Sequence, residues 1–219
     1  MVRPSRSVLL CLSLSLSFVL PMDLVAQTRA RGPRSDADRE KVSQLIEKGD
    51  IAAARKLMAS FVAETAAAAP SGSVDYEEIK ACGFYPQETR LECIIEIKRR
   101  VGYSGPIGSF GSMEHVYFCV DWFNTGTFTQ DGSAGQGSVQ MHNESAGAVP
   151  PWHYAVYRDF NPFGGFRTSN AGATTTSVTN GPTRTVRAIL SWFDAPTGCN
   201  YVPVWGNVLD FRIRLDPVR

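Results

Sequence analysis

Asp121, Asn124, Asp131, His142, Glu144 and His153 are the residues of this chain whose types suit acid–base or ligand-holding chemistry. In a hydrolase such carboxylates and imidazoles move protons to and from substrate, but only when they share one pocket. Asp121, Asn124, Gly126 and Asp131 also resemble part of a calcium loop. A full EF-hand loop alternates oxygen ligands and ends on a glutamate at its twelfth position. Counted from Asp121, the third position is Phe123 and the twelfth is Gly132, so the match fails. A turn between strands is the plainer account, with Asn124 and Gly126 supplying positive φ, and calcium stays as the one candidate cofactor. His115, His142 and His153 fall opposite the apolar strand faces; a shared metal site would require matched registers within one sheet.

Other catalytic signatures are missing. Ile107-Gly108-Ser109-Phe110-Gly111 comes nearest to a nucleophile elbow, yet it lacks the first glycine and no helix follows it. It reads as a glycine-rich loop. The chain contains no dinucleotide fingerprint, P-loop or H-E-x-x-H. Its tryptophans and tyrosines are suited to stacking on a glycan, although in a β-sandwich most such rings belong to the core.

The compartment is readable from the N-terminus and from the cysteines. Arg3 and Arg6 precede an apolar run from Val8 to Leu20, and Val25 and Ala26 supply a small-residue exit. That order predicts a signal peptide over 1–26 and a secreted, periplasmic or cell-envelope location. The run is too short to span a bilayer, no later one is long enough, and no transmembrane anchor is expected. Cys82, Cys93, Cys119 and Cys199 follow, an even number without C-x-x-C or a Cys/His cluster. Two disulfides are the expectation, with all three connectivities open. The whole chain carries a net charge of +1. Removing 1–26 takes away Arg3, Arg6 and Asp23 and balances the charges, which does not suit a nucleic-acid partner.

The elements that would position these groups divide by period. Residues 27–34 read as a flexible lead and 35–69 as a helical hairpin. Ser35 is placed to cap a first helix with Val42, Leu45 and Ile46 on one face, and Asp50 to cap a second with Ala54, Leu57, Met58, Phe61 and Val62. Such a pair resembles a single unit of a helical-repeat protein and would dock a larger envelope assembly through Ala54, Leu57, Met58 and Phe61. Packing on the neighbouring domain is the alternative. Residues 70–73 form a linker, and from 74 to 219 the period becomes two. Leu91, Cys93, Ile95 and Ile97 share a face, as do Val116, Phe118, Val120 and Trp122; Trp152, Tyr154 and Val156; Val186, Ala188, Leu190 and Trp192; and Leu209, Phe211, Ile213 and Leu215. Weaker strands are predicted at Tyr76 to Cys82, Gly126 to Thr129 and Gly137 to His142. The fold class is therefore mainly β, an antiparallel sandwich of seven to eight strands, Ig-like or jelly-roll-like. Parity points Cys119 away from Trp122, which does not suit an immunoglobulin core.

The blocks Leu91-Glu-Cys-Ile-Ile-Glu-Ile-Lys98, Gly102-Tyr-Ser-Gly105, Gly111-Ser-Met-Glu-His-Val-Tyr-Phe-Cys-Val-Asp-Trp122, Tyr154-Ala-Val156, Val186-Arg-Ala-Ile-Leu-Ser-Trp192 and Pro203-Val-Trp-Gly-Asn207 span most of residues 75 to 215. In these blocks the chain resembles a group of exported bacterial β-rich proteins to which no function is assigned. The resemblance implies a bacterial cell-envelope or extracellular location and no mechanism. The leading expectation is a non-catalytic binding or structural module with a protein or glycan partner. The alternatives are a secreted hydrolase with a loop-built acid–base site and a subunit docking through its hairpin.

Overall fold

The computed structural model describes residues 35–68, 72–129, 132–162 and 183–215. The predicted signal peptide, the lead and Asp131 lie outside them. Among the described residues two helices, α1 (Asp36–Glu47) and α2 (Ile51–Ala68), precede seven strands. Ser35 caps α1 in a reciprocal capping box with Asp38, satisfying orphan N–H groups of the first turn. Gly49, at φ 76°, turns the chain, and Asp50 accepts from the Ala53 amide at 3.1 Å to start α2.

The strands are β1 (Glu77–Tyr85), β2 (Arg90–Ile97), β3 (Ser112–Asp121), β4 (Ser133–Met141), β5 (Trp152–Asp159), β6 (Thr183–Trp192) and β7 (Val208–Arg214). They form two antiparallel sheets of order β1-β2-β5 and β4-β3-β6-β7. The expected strand at Gly126 to Thr129 is irregular instead. Phe128 there is buried beside Tyr117 and Ile189, so burial of its side chain replaces strand pairing. A bulge at Lys80 interrupts β1 between Ile79 and Ala81. There the Asn207 side chain acts as a surrogate strand, accepting from the Ile79 amide at 2.8 Å and donating to the Ile79 carbonyl at 3.4 Å. At the other sheet edge β4 comes close to β5, where a Cβ on Gly137 would collide with the Tyr157 carbonyl.

Inward residues of both sheets form one core, with Trp192 and Trp205 fully buried and edge-on at 5.3 Å. A second cluster of Tyr117, Cys119, Phe128, Ile189 and Cys199 lies on the other face of the four-stranded sheet. The Cys119–Cys199 disulfide fastens the β6–β7 loop there, as the parity of Cys119 requires. Cys82 and Cys93 are cross-strand partners of β1 and β2 and form the other disulfide.

The hairpin belongs to the same core. Ala54, Met58 and Phe61 are buried in it with Leu57 packed alongside, and Phe61 meets the edge of Trp205 at 6.0 Å. The sandwich thus covers the face expected to dock a larger assembly. On α1, Arg39, Val42, Ser43 and Ile46 make one buried stripe. Arg39 donates to both Glu77 oxygens, at 2.8 and 2.9 Å, and from Nε to the Gly102 carbonyl at 3.1 Å. Its guanidinium lies 4.0 Å from the Tyr76 ring centre and 4.1 Å from that of Trp192. A bidentate ion pair between cation–π faces is well matched for a desolvated arginine.

Candidate ligand-binding site

Where do the predicted polar residues go? Asp121, at the end of β3, is buried, and its carboxylate accepts from the amides of Thr125 and Gly126 at 3.1 and 2.7 Å. Both oxygens are engaged in bracing the β3–β4 turn. Asn124, at φ 54°, donates to the Thr183 carbonyl at 3.1 Å. His142 follows β4 and faces Gly111, at the opposite end of β3 from Asp121, roughly 30 Å away along a ten-residue strand. Glu144 stands beside Arg100, whose carbonyl accepts its amide. His153 lies on the outer face of the three-stranded sheet, 3.3 Å from Glu96. The described residues of this set therefore share no pocket. No group of three or more His, Cys, Asp or Glu is placed to hold a metal ion among the described residues.

Two concavities formed by the described residues bear on a binding site. One, of about 510 Å³, lies between the start of α2 and the outer face of β3, lined by Ile51, Arg55, Phe110, Met113, His115 and Phe193 among others. Its polar groups are already committed. Arg55 pairs with Asp194 at 3.5 Å, Gln140 donates to the Phe110 carbonyl at 2.9 Å, and Ser109 donates to the Pro106 carbonyl at 2.6 Å. His115 Nε2 lies 3.1 Å from the Phe193 carbonyl and must donate to it, which leaves Nδ1 to accept from Ser138 at 2.8 Å. Burial lowers the His115 pKa below its ordinary value, opposed by that carbonyl and by Asp194.

The other, a trough of about 410 Å³, lies on the outer face of β1 and β2. The pairing register builds it. Ala81 opposes Ile94, Gly83 opposes Glu92 and Tyr85 opposes Arg90, while on β5 Tyr157 opposes Glu92 and Asp159 opposes Arg90. The bulge at Lys80 sets this parity, turning Cys82 and Phe84 inward and Ala81, Gly83 and Tyr85 outward. Gly83 leaves a notch, since a Cβ built there meets nothing within 4 Å. Tyr85 and Tyr157 are large exposed side chains on this face, at 46% and 50%. Arg90 lies 3.9 Å from the Tyr157 ring centre and 3.5 Å from Asp159. Glu92, half-buried between Gly83 and Tyr157, has no hydrogen-bond or ion-pair partner among the described residues.

No family model, curated protein or solved structure matches the chain. A functional reading therefore rests on this geometry.

The trough could not be anticipated from composition, because Glu92 and Tyr85 look like ordinary outward strand residues. The buried charges did carry a signal. Glu114 shares the phase of Val116, Phe118 and Val120, and Arg39 shares that of Val42 and Ile46. A charged residue on an apolar phase implies a buried partner.

Proposed function

We propose that this protein is a non-catalytic binding module of an exported bacterial protein, and that it holds its ligand in the trough lined by Gly83, Tyr85, Glu92 and Ile94. One observation carries the reading: Glu92 is an unpartnered carboxylate beside exposed aromatic rings and an open glycine notch. Binding sites combine apolar and aromatic walls with a few uncommitted polar groups that fix orientation. The larger groove has the walls and lacks the uncommitted polar group. Two disulfides suit an oxidising compartment. Among the described residues no helix is long and apolar enough to cross a membrane. Together with the signal-peptide pattern over 1–26, these features support a secreted, periplasmic or envelope location.

The test is co-sedimentation of the purified protein with isolated bacterial envelopes and with extracellular polymer. Gly83→Leu fills the notch without steric conflict at the Cβ, so its melting temperature should stay near that of wild type. Retention of wild type with at least ten-fold weaker retention of Gly83→Leu is the expected result. Equal retention of the two proteins would overturn the assignment of the trough.

A further inference from the structure

We infer that the ligand of the trough is an uncharged carbohydrate chain, an inference that rests on the trough being the binding site. The chemistry of its walls leads there by elimination and by fit. Sugar rings present flat C–H faces and hydroxyl edges. Half-exposed tyrosine rings accept the faces by stacking, and a free carboxylate accepts two neighbouring hydroxyls, a charge-assisted geometry stronger than neutral pairing. Tyr85 supplies the ring within the trough and Glu92 the carboxylate, while Tyr157, with Arg90 over one of its faces, stands on the β5 flank beside Glu92.

Among the described residues the trough lining holds no cation for an anionic ligand to meet. Arg90 is held by Asp159 and the Tyr157 ring, and Lys80 by Glu78 and Glu96. Such a ligand would face Glu92 with no countercharge, which is unfavourable at contact distance. A peptide recognised through its main chain fares no better. The trough lies on a sheet face, and the N–H and C=O groups of β1 and β2 point within the plane of the sheet; strand addition would take place along the β1 edge and not over this face. From Ala81 to Tyr85 the trough runs about 13 Å along the strand, long enough for a short run of sugar rings rather than one.

Affinity electrophoresis through gels containing neutral polysaccharides (xylan, mannan, β-glucan and soluble chitin derivatives) or acidic ones (alginate and polygalacturonate) tests the inference. Retardation by at least one neutral polymer is expected, weakened about ten-fold in Glu92→Gln and abolished in Gly83→Leu. The carbohydrate assignment is overturned if no neutral polymer retards the protein, if only acidic ones do, or if the variants migrate like wild type. Envelope retention that depends on Gly83 without any polysaccharide binding would sink the ligand class alone. Retention indifferent to Gly83→Leu would remove the site itself.

Discussion

Glu114 Oε1 lies 3.9 Å from Arg39 Nη2, and neither oxygen of this fully buried carboxyl has a hydrogen bond among the described residues. Glu77 holds the guanidinium in a bidentate pair, so it carries the negative charge that balances Arg39. Burial first, and then the Glu77 charge, push the Glu114 pKa well above its ordinary value. Burial favours the protonated form of both carboxyls, and more so at Glu114, which lacks the bidentate pair that Arg39 gives Glu77.

A pH dependence of stability follows. The folded protein keeps a proton on Glu114 that the unfolded chain releases near the ordinary value of 4.5. Stability contributed by this group is complete below that pH and falls as pH rises, until Glu114 ionises in the folded state. The slope is at most about 1.4 kcal/mol per pH unit. Urea unfolding of Glu114→Gln against wild type across pH 4 to 9 should show the variant gaining relative stability with pH. A constant difference would contradict this.

Arg39→Met should have the opposite character. It leaves Glu77 and Glu114 buried together without a cation, a change that costs about 3–5 kcal/mol when one partner of a buried pair is removed. Adding Glu77→Gln and Glu114→Gln to Arg39→Met should recover much of the loss. Chemical unfolding of the single and triple variants measures it, and no recovery would mean that packing of the arginine outweighs its charge.

Asp121 separates a turn brace from a metal ligand. Its carboxylate accepts two backbone amides in the β3–β4 turn, so Asp121→Ala should cost about 1–3 kcal/mol. The loss should be the same in calcium and in chelator. A calcium-dependent rise in the wild-type melting temperature that Asp121→Ala abolishes would restore the cation reading.

The Cys119–Cys199 bridge closes 80 residues of sequence separation. Replacing both cysteines with serine should lower stability by about 2–5 kcal/mol. Hydrogen exchange should rise first around Phe128, Tyr201 and Val208, which pack about the bridge. Uniform acceleration across the core would contradict the view of this cluster as a separately fastened layer.

Much of the fold was legible because one buried sheet face imposes a two-residue period. β2, β3, β5, β6 and β7 all obey it. β1 was faint because the bulge at Lys80 shifts its phase midway, and β4 because Gly135 and Gly137 carry no side chain to alternate. Cysteine pairing depends on which strands are neighbours, and local pattern does not contain that. The binding trough is an outward surface, where no burial constraint leaves a trace in the residue types. Glu114 was the opposite case, since its phase marked it as inward and its charge demanded a partner lying 75 positions earlier in the chain at Arg39.

Ser73 bridges Trp205, and the Val204 carbonyl accepts the Ser73 amide at 2.9 Å while the Ser73 carbonyl accepts the Gly206 amide at 2.8 Å. With Phe61 set against Trp205, the earliest described elements are completed by one of the last. A growing chain therefore cannot finish its core until the segment around Trp205 has emerged, and long-range closure of this kind is slow. Until then the apolar stripe of α2 stays open to water and to holdase chaperones, so a chain cut short before Trp205 should be a clearance substrate rather than a smaller folded protein.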